Sequence, residues 1–256
     1  GGTSGSSCSD GVRGISDDSP YILMREFRRA FPDYAACEFD VVNPYSILSE
    51  NLTCGVWSTL YRTLYNALDG ASESSRDHHY DGVIVTHGSD TLAYTAAALG
   101  MLMRHTSLPV VLTAADRPAN DPTSNALPNF RASVDFVLGA GLKGVFVSYR
   151  RNYDGAQTMY IATRLLSADC YLDEFSSYGG GCFGVMSGGR FIPEPSPVNP
   201  DAGLFNRTLS PIAGSGIDLN KSRIMLLRSY PGMDYSAVNP EGFAAVINYG
   251  YHCATA

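Results

Sequence analysis

Three short, uninterrupted apolar runs constrain this chain more than any other feature: Gly82 to Thr86, Leu108 to Thr113, and Gly144 to Ser148. Each has the length of a strand, and none alternates with polar residues. A strand of that kind is covered on both faces, as in a parallel sheet between two layers of helix. Helical patterns separate the runs. Ser19-Pro20 opens an amphipathic helix to Phe31, with a cap residue followed by a proline that fits the first helical turn. Thr53 caps a second helix, in which Val56, Trp57, Leu60, Leu64 and Leu68 share one face. Asp90 to Met103 and Asn125 to Leu138 read as two more, and Ala36 to Val42 as a short strand. Strands alternating with helices make the fold class α/β. In such sheets ligands collect beyond the carboxyl ends of the strands.

The pattern loosens after Ile161. Pro193, Pro195, Pro197, Pro200 and Pro211 punctuate a stretch rich in Gly, Asn and Ser that reads as a linker. Beyond it, Arg223 to Arg228 reads as a strand, Tyr230-Pro231-Gly232 as a turn and Asn239 to Ile247 as a helix. About 35 residues cannot enclose a core of their own, so this tail either packs on the first domain or opens a second one.

Composition removes several functions. With 18 Lys plus Arg against 25 Asp plus Glu, the net charge of −7 argues against binding a nucleic-acid backbone. The longest nearly apolar stretch, Ala93 to Met103, is shorter than the roughly 20 residues a membrane-spanning helix needs, so no membrane insertion is expected. The chain starts at Gly1-Gly2-Thr3 with neither an initiator Met nor the basic-then-apolar start of a signal peptide. The 6 cysteines include no C-x-x-C pair, and His78, His79 and His87 have no thiol or carboxylate at ligand spacing. No metal site and no cofactor follow from them. Two sequons, at Asn51 and Asn206, carry no weight without a secretory context.

The best local site is Val83-Ile84-Val85-Thr86-His87-Gly88-Ser89-Asp90-Thr91-Leu92. A strand delivers Thr86 to the sheet edge, Gly88 permits a tight turn, and Ser89, Asp90 and Thr91 stand at a helix start, whose N–H groups favour an anion. An ordinary N-cap with a first-turn acid explains Ser89 and Asp90 equally well. The opening Gly1-Gly2-Thr3-Ser4-Gly5-Ser6-Ser7 suits a flexible terminus, a phosphate loop or a nucleophile loop. No G-x-x-x-x-G-K-[ST] pattern accompanies it, which argues against nucleotide binding, and no G-x-S-x-G elbow occurs.

Taken in order, Gly1-Gly2-Thr3, Thr86-His87-Gly88-Ser89-Asp90-Thr91-Leu92 with the following Ala93 to Leu99, and Val110-Val111-Leu112-Thr113 with Arg117-Pro118 resemble the asparaginase/glutaminase family of bacterial type. The helix after the second motif is most similar to the cytoplasmic type I enzymes and to the asparaginase-like subunit of glutamyl-tRNA amidotransferase. The resemblance implies hydrolysis of the side-chain amide of asparagine or glutamine through a threonine nucleophile and an acyl-enzyme. It assigns Thr3 as the nucleophile, Ser89 and Asp90 to a second hydroxyl–carboxylate relay, and Arg164 to the position of the family's relay lysine. Tyr21 takes the place of an assisting tyrosine. Ser49, Glu50 and Asn51 match the segment that holds the substrate's amino and carboxylate ends, with Gly88 in the same loop. Ala114 follows the strand whose backbone faces the reacting amide. A threonine hydroxyl needs a neighbouring base or relay, which Ser89 and Asp90 suit. Arg164 orients but does not act as a base, because a guanidinium keeps its proton. Ser4 and Asn125-Ala126 also depart from the family pattern.

The resemblance implies a domain at 1–192, a linker at 193–220 and the start of a smaller α/β C-terminal domain at 221–256. It also implies that the chain is a fragment lacking the family's first strand. It further implies a small-molecule substrate, a cytoplasmic location, and a homo-oligomer, dimer or tetramer, whose subunits complete each other's sites. Two other functions are compatible with the residues: a catalytically silent amino-acid-binding module, and an amidotransferase component that supplies ammonia to a partner.

Overall fold

A computed structural model describes residues 6–9, 12–15, 19–68, 80–169, 171–207, 209–210 and 223–251. The chain divides into two compact units, Gly1–Gly216 and Ile217–Ala256.

The first unit opens with a small antiparallel pair, β1 (Ser6–Ser9) and β2 (Val12–Ile15), followed by helices α1 (Ser19–Ala30) and α2 (Cys54–Leu68). A six-stranded sheet follows in the order β3 (Val83–Thr86), β4 (Pro109–Thr113), β5 (Gly144–Arg150), β6 (Gln157–Ile161), β7 (Gly184–Ser187) and β8 (Arg190–Pro193). The three apolar runs of the sequence are β3, β4 and β5, and they pair in parallel. From β5 onward the pairing is antiparallel. Helices α3 (Leu92–Leu102) and α4 (Ala126–Gly139) make the β3-to-β4 and β4-to-β5 crossovers.

The packing explains why these runs carry no polar alternation. All of β4 is buried, with Val110, Val111 and Leu112 fully inaccessible. On one face Val111 meets Phe136 of α4, together with Phe146, Met159, Ile161 and Phe183. A second cluster joins Leu23 and Phe27 of α1 to Ala126, Phe130 and Val134 of α4, and Phe27 and Phe130 meet edge to face with ring centroids 5.0 Å apart. Helix α3 is apolar on several sides, with Leu92, Thr95, Ala96 and Leu99 all buried, as a helix enclosed by its neighbours must be. Within the stretch expected to act as a linker, the 3-10 turn Ala202–Asn206 docks Phe205 against Phe146 and Phe183.

Three segments differ from expectation. Residues 36–42 are irregular rather than a strand. Cys37 and Phe39 turn toward the Phe27 cluster, but among the described residues the segment pairs with no strand. The sheet continues past Ile161 through β7 and β8, joined by Gly188 and Gly189 at φ values of 55° and 74°. Two consecutive residues at positive φ make the mirror-image turn that matches hairpin twist, and glycine adopts it without Cβ strain. In the second unit, in place of the helix expected over 239–247, β10 (Ala245–Tyr249) runs parallel to β9 (Ile224–Arg228). Among the described residues no helix is long and apolar enough to cross a membrane.

Candidate functional site

The carboxyl ends of the parallel strands carry the polar residues. β3 ends at Thr86, and the loop His87 to Thr91 turns the chain into α3, whose first helical residue is Leu92. Ser89 and Asp90 therefore precede the helix instead of lying in its first turn. The cap position is Thr91, which makes no side-chain cap. This removes the purely capping explanation of the two residues.

Asp90 is engaged from elsewhere in the sequence. Ser49 Oγ donates to Asp90 Oδ2 at 3.0 Å, and Thr91 Oγ1 donates to the Ser49 carbonyl at 3.0 Å. Ser49 is buried in the 3-10 turn Ser49–Asn51, while Glu50 and Asn51 are exposed beside it. Two segments about forty residues apart are thus fastened together, with Asp90 exposed and Ser89 half-buried beside the join.

His87 reads in the sequence as an ordinary loop histidine, but it is only 6% exposed and forms the middle of a hydrogen-bonded chain. Its Nδ1 lies 2.8 Å from the Gly88 carbonyl, and its Nε2 lies 2.9 Å from Thr95 Oγ1. Thr95 in turn accepts from Trp57 Nε1 of α2 at 2.9 Å. Burial holds the His87 imidazole below its ordinary pKa of 6.5, against the opposing effects of the Gly88 carbonyl and Asp90. A cavity of about 650 Å³ runs beside β3 from Ser49, His87 and Gly88 down between Leu60 and Leu64 of α2 and Phe130 and Val134 of α4.

At the neighbouring strand ends stands buried Asn129, which no sequence motif marks. Its Nδ2 donates to the Ala114 carbonyl at 2.9 Å, and its Oδ1 accepts from the Arg150 N–H at 2.8 Å. Ala114, fully buried, is thereby fixed at the end of β4. Asp116 and Asn125 exchange backbone-to-side-chain hydrogen bonds, both at 2.9 Å, and close the loop between β4 and α4.

The remaining expected site residues are not brought together. Thr3 lies outside the described residues, as does Ser4. Tyr21 is 64% exposed on α1. Arg164 lies in the 3-10 turn Ala162–Arg164 after β6, which runs antiparallel to β5 and so carries the chain away from the site. That turn meets α3 at Gly100, where an added Cβ would stand 2.7 Å from Thr163, well past the helix start. The Arg164 guanidinium donates to the Val198 carbonyl. Among the described residues no group of His, Cys, Asp and Glu has an arrangement that could hold a metal ion.

The α/β sheet thus gathers a hydroxyl and a carboxylate at its carboxyl edge, where the ligands of such sheets collect. The family described as Asparaginase, N-terminal, matches residues 1–191, and the chain belongs to this asparaginase family. An L-asparaginase of Thermococcus kodakarensis is 38% identical over 93 residues, 36% of this chain and 25% of that protein. A D-type subunit of the glutamyl-tRNA(Gln) amidotransferase of Methanothermobacter thermautotrophicus is 42% identical over 91 residues, 35% of this chain and 19% of that protein. The chain therefore matches a quarter or less of the length of these relatives. Among solved structures, the thermostable L-asparaginase of Thermococcus kodakarensis superposes with a TM-score of 0.63 at 24% identity, over 91% of this chain and 63% of that one. A probable cytoplasmic L-asparaginase of Campylobacter jejuni gives 0.64 at 21% identity, over 86% and 62%. At these identities the superpositions establish the fold.

Proposed function

We propose that this chain carries the N-terminal part of an amidohydrolase that converts the side-chain amide of L-asparagine, or alternatively of L-glutamine, to the acid and ammonia. The observation that carries this reading is the Ser49–Asp90 hydrogen bond with its companion from Thr91, which joins the segment 49–51 to the turn bearing Ser89 and Asp90. Exposed Glu50 suits an α-ammonium group, and the helix start suits an α-carboxylate. Thr3, which enters on the family resemblance alone, is the nucleophile. Its oxygen bonds to the amide carbon while its proton passes to the Ser89–Asp90 relay. The relay returns that proton to the leaving nitrogen as the tetrahedral oxyanion collapses, ammonia departs, and water then hydrolyses the resulting ester to the acid and the free Thr3 hydroxyl. Arg164, held at Val198, takes no part in proton transfer; Tyr21 is a secondary candidate for assisting Thr3. The same reading implies a homo-oligomer, a cytoplasmic location, and domains at 1–192 and 221–256 joined by 193–220.

The test is ammonia release by the full-length protein. Ser89→Ala removes the relay hydroxyl and lowers kcat by about 100-fold or more, on the scale of a lost catalytic proton-transfer partner. Near-normal turnover in that variant overturns the relay assignment. A second reading, an amidotransferase component feeding ammonia to a partner, is favoured by similarity to several D-type amidotransferase subunits, at 34% to 42% identity. Free asparagine or glutamine that releases ammonia without a partner decides for the first reading.

A further inference from the structure

The hydrogen-bonded chain around His87 assigns a proton to every atom. The Gly88 carbonyl only accepts, so His87 Nδ1, 2.8 Å away, carries the proton. Trp57 Nε1 only donates, so Thr95 Oγ1 accepts from it and has its own hydrogen free for His87 Nε2. The opposite neutral tautomer would point the bare Nδ1 lone pair at a carbonyl oxygen. Burial disfavours the imidazolium. The ring is therefore a neutral strut of fixed polarity, with its Nε2 end anchored through buried Thr95 on two helices.

The strut acts on the peptide that follows. In a trans peptide the C=O and the next N–H point to opposite sides. With the Gly88 carbonyl drawn inward to His87, the Ser89 N–H points outward, and Ser89 itself is half-buried beside exposed Asp90. Among the described residues no hydrogen bond takes up that N–H; the only contact of this kind at Ser89 is its carbonyl accepting from the Leu92 N–H at 3.3 Å. We infer that His87 is a positioning residue, which aims the Ser89 main-chain N–H at an anionic oxygen of the substrate. The inference rests on the amidohydrolase reading for the identity of that oxygen, either the α-carboxylate of the bound amino acid or the oxyanion formed at its amide.

Two near-isosteric variants of the full-length protein separate the two ends of the strut. His87→Asn keeps a donor at the place of Nδ1 and loses the partner of Thr95. His87→Gln keeps a partner for Thr95 and loses the donor to Gly88. Loss of the Gly88 bond lowers kcat/KM for asparagine by about 10- to 100-fold in His87→Gln, and His87→Asn stays within about threefold of the wild type. A loss confined to KM identifies the α-carboxylate as the oxygen received, and a loss in kcat identifies the oxyanion. Equal losses in both variants, or none in either, overturn the inference. Nitrogen-15 spectra of the histidine-labelled wild type give a second readout that needs no turnover: Nδ1 protonated and Nε2 bare supports the strut, and the reverse overturns it. If the wild type releases no ammonia, the amidohydrolase reading fails. The His87 inference is then decided by this spectrum and by the calorimetric affinity of the two variants for aspartate.

Discussion

His87 has a consequence for stability as well as for geometry. Its folded-state pKa is depressed below 6.5 by burial, so folded and unfolded chains are both neutral at this position at higher pH. As the pH falls through 6.5 the unfolded chain takes up a proton before the folded one does, and stability is lost. The loss levels off below the folded-state pKa, where both states are charged. Between pH 7 and pH 5.5 this linkage therefore lowers stability. Urea unfolding at the two pH values should show the wild type losing more stability than His87→Asn, which has nothing to titrate there. An equal loss in both proteins would place the titration elsewhere. Neither His87 nor Asn129 is legible as a site residue in the sequence. The side-chain partner of His87 is Thr95, eight positions along in α3, which is itself held by Trp57 on a separate helix, and Asn129 acts on main-chain atoms at two strand ends. Ser89 and Asp90 are legible because the strand, the glycine and the polar triplet are contiguous. The anchor of Asp90 at Ser49 joins parts of the sequence that no local pattern connects.

Among the elements, the hairpin of β7 and β8 depends on one absent side chain. A Cβ on Gly184 would meet the Ile192 carbonyl at 2.5 Å and the Phe191 ring at 2.5 Å. The Ile192 carbonyl is main chain of the partner strand and cannot yield without moving that strand. Gly184→Ala should destabilise the protein by about 2 kcal/mol or more, at the overpacking end of core substitutions, as read from its urea or thermal midpoint. Gly188→Ala, where nothing lies within 4 Å, tests φ strain alone and should cost less, about 1 kcal/mol. Unchanged stability in Gly184→Ala would mean that the hairpin is looser than described. The Gly188-Gly189 pair is a readable hairpin signal between Gly184-Val185-Met186 and Phe191-Ile192, but the glycine-rich flanks on both sides obscure it. The strand expected over Ala36 to Val42 has partial support in its packing, since Cys37 and Phe39 turn toward the core while residues 38, 40 and 41 are exposed. Strand formation also needs a neighbour to receive the main-chain bonds.

For the whole molecule, both core clusters consist of residues from Gly1–Gly216. A chain ending at residue 216 should keep a single cooperative thermal transition, with a midpoint within about 4 °C of the full chain, in the range that about 1 kcal/mol produces for a unit of this size. Loss of cooperativity would show that residues 217–256 complete the core. The α/β class, the three central strands and helices α1 to α4 are legible because period and length carry their own signal. The antiparallel half is not, since its strands are short and its order is set by pairing. That change of strand direction at β5 also divides the protein in time. The pairs β5–β6 and β7–β8 join residues close in sequence and close small loops, whereas β3–β4 and β4–β5 must each first enclose a helix. Loop-closure entropy makes local pairs the faster ones to form. The carboxyl edge of the parallel strands, where the polar loops converge, is therefore expected to assemble after the local hairpins β5–β6 and β7–β8.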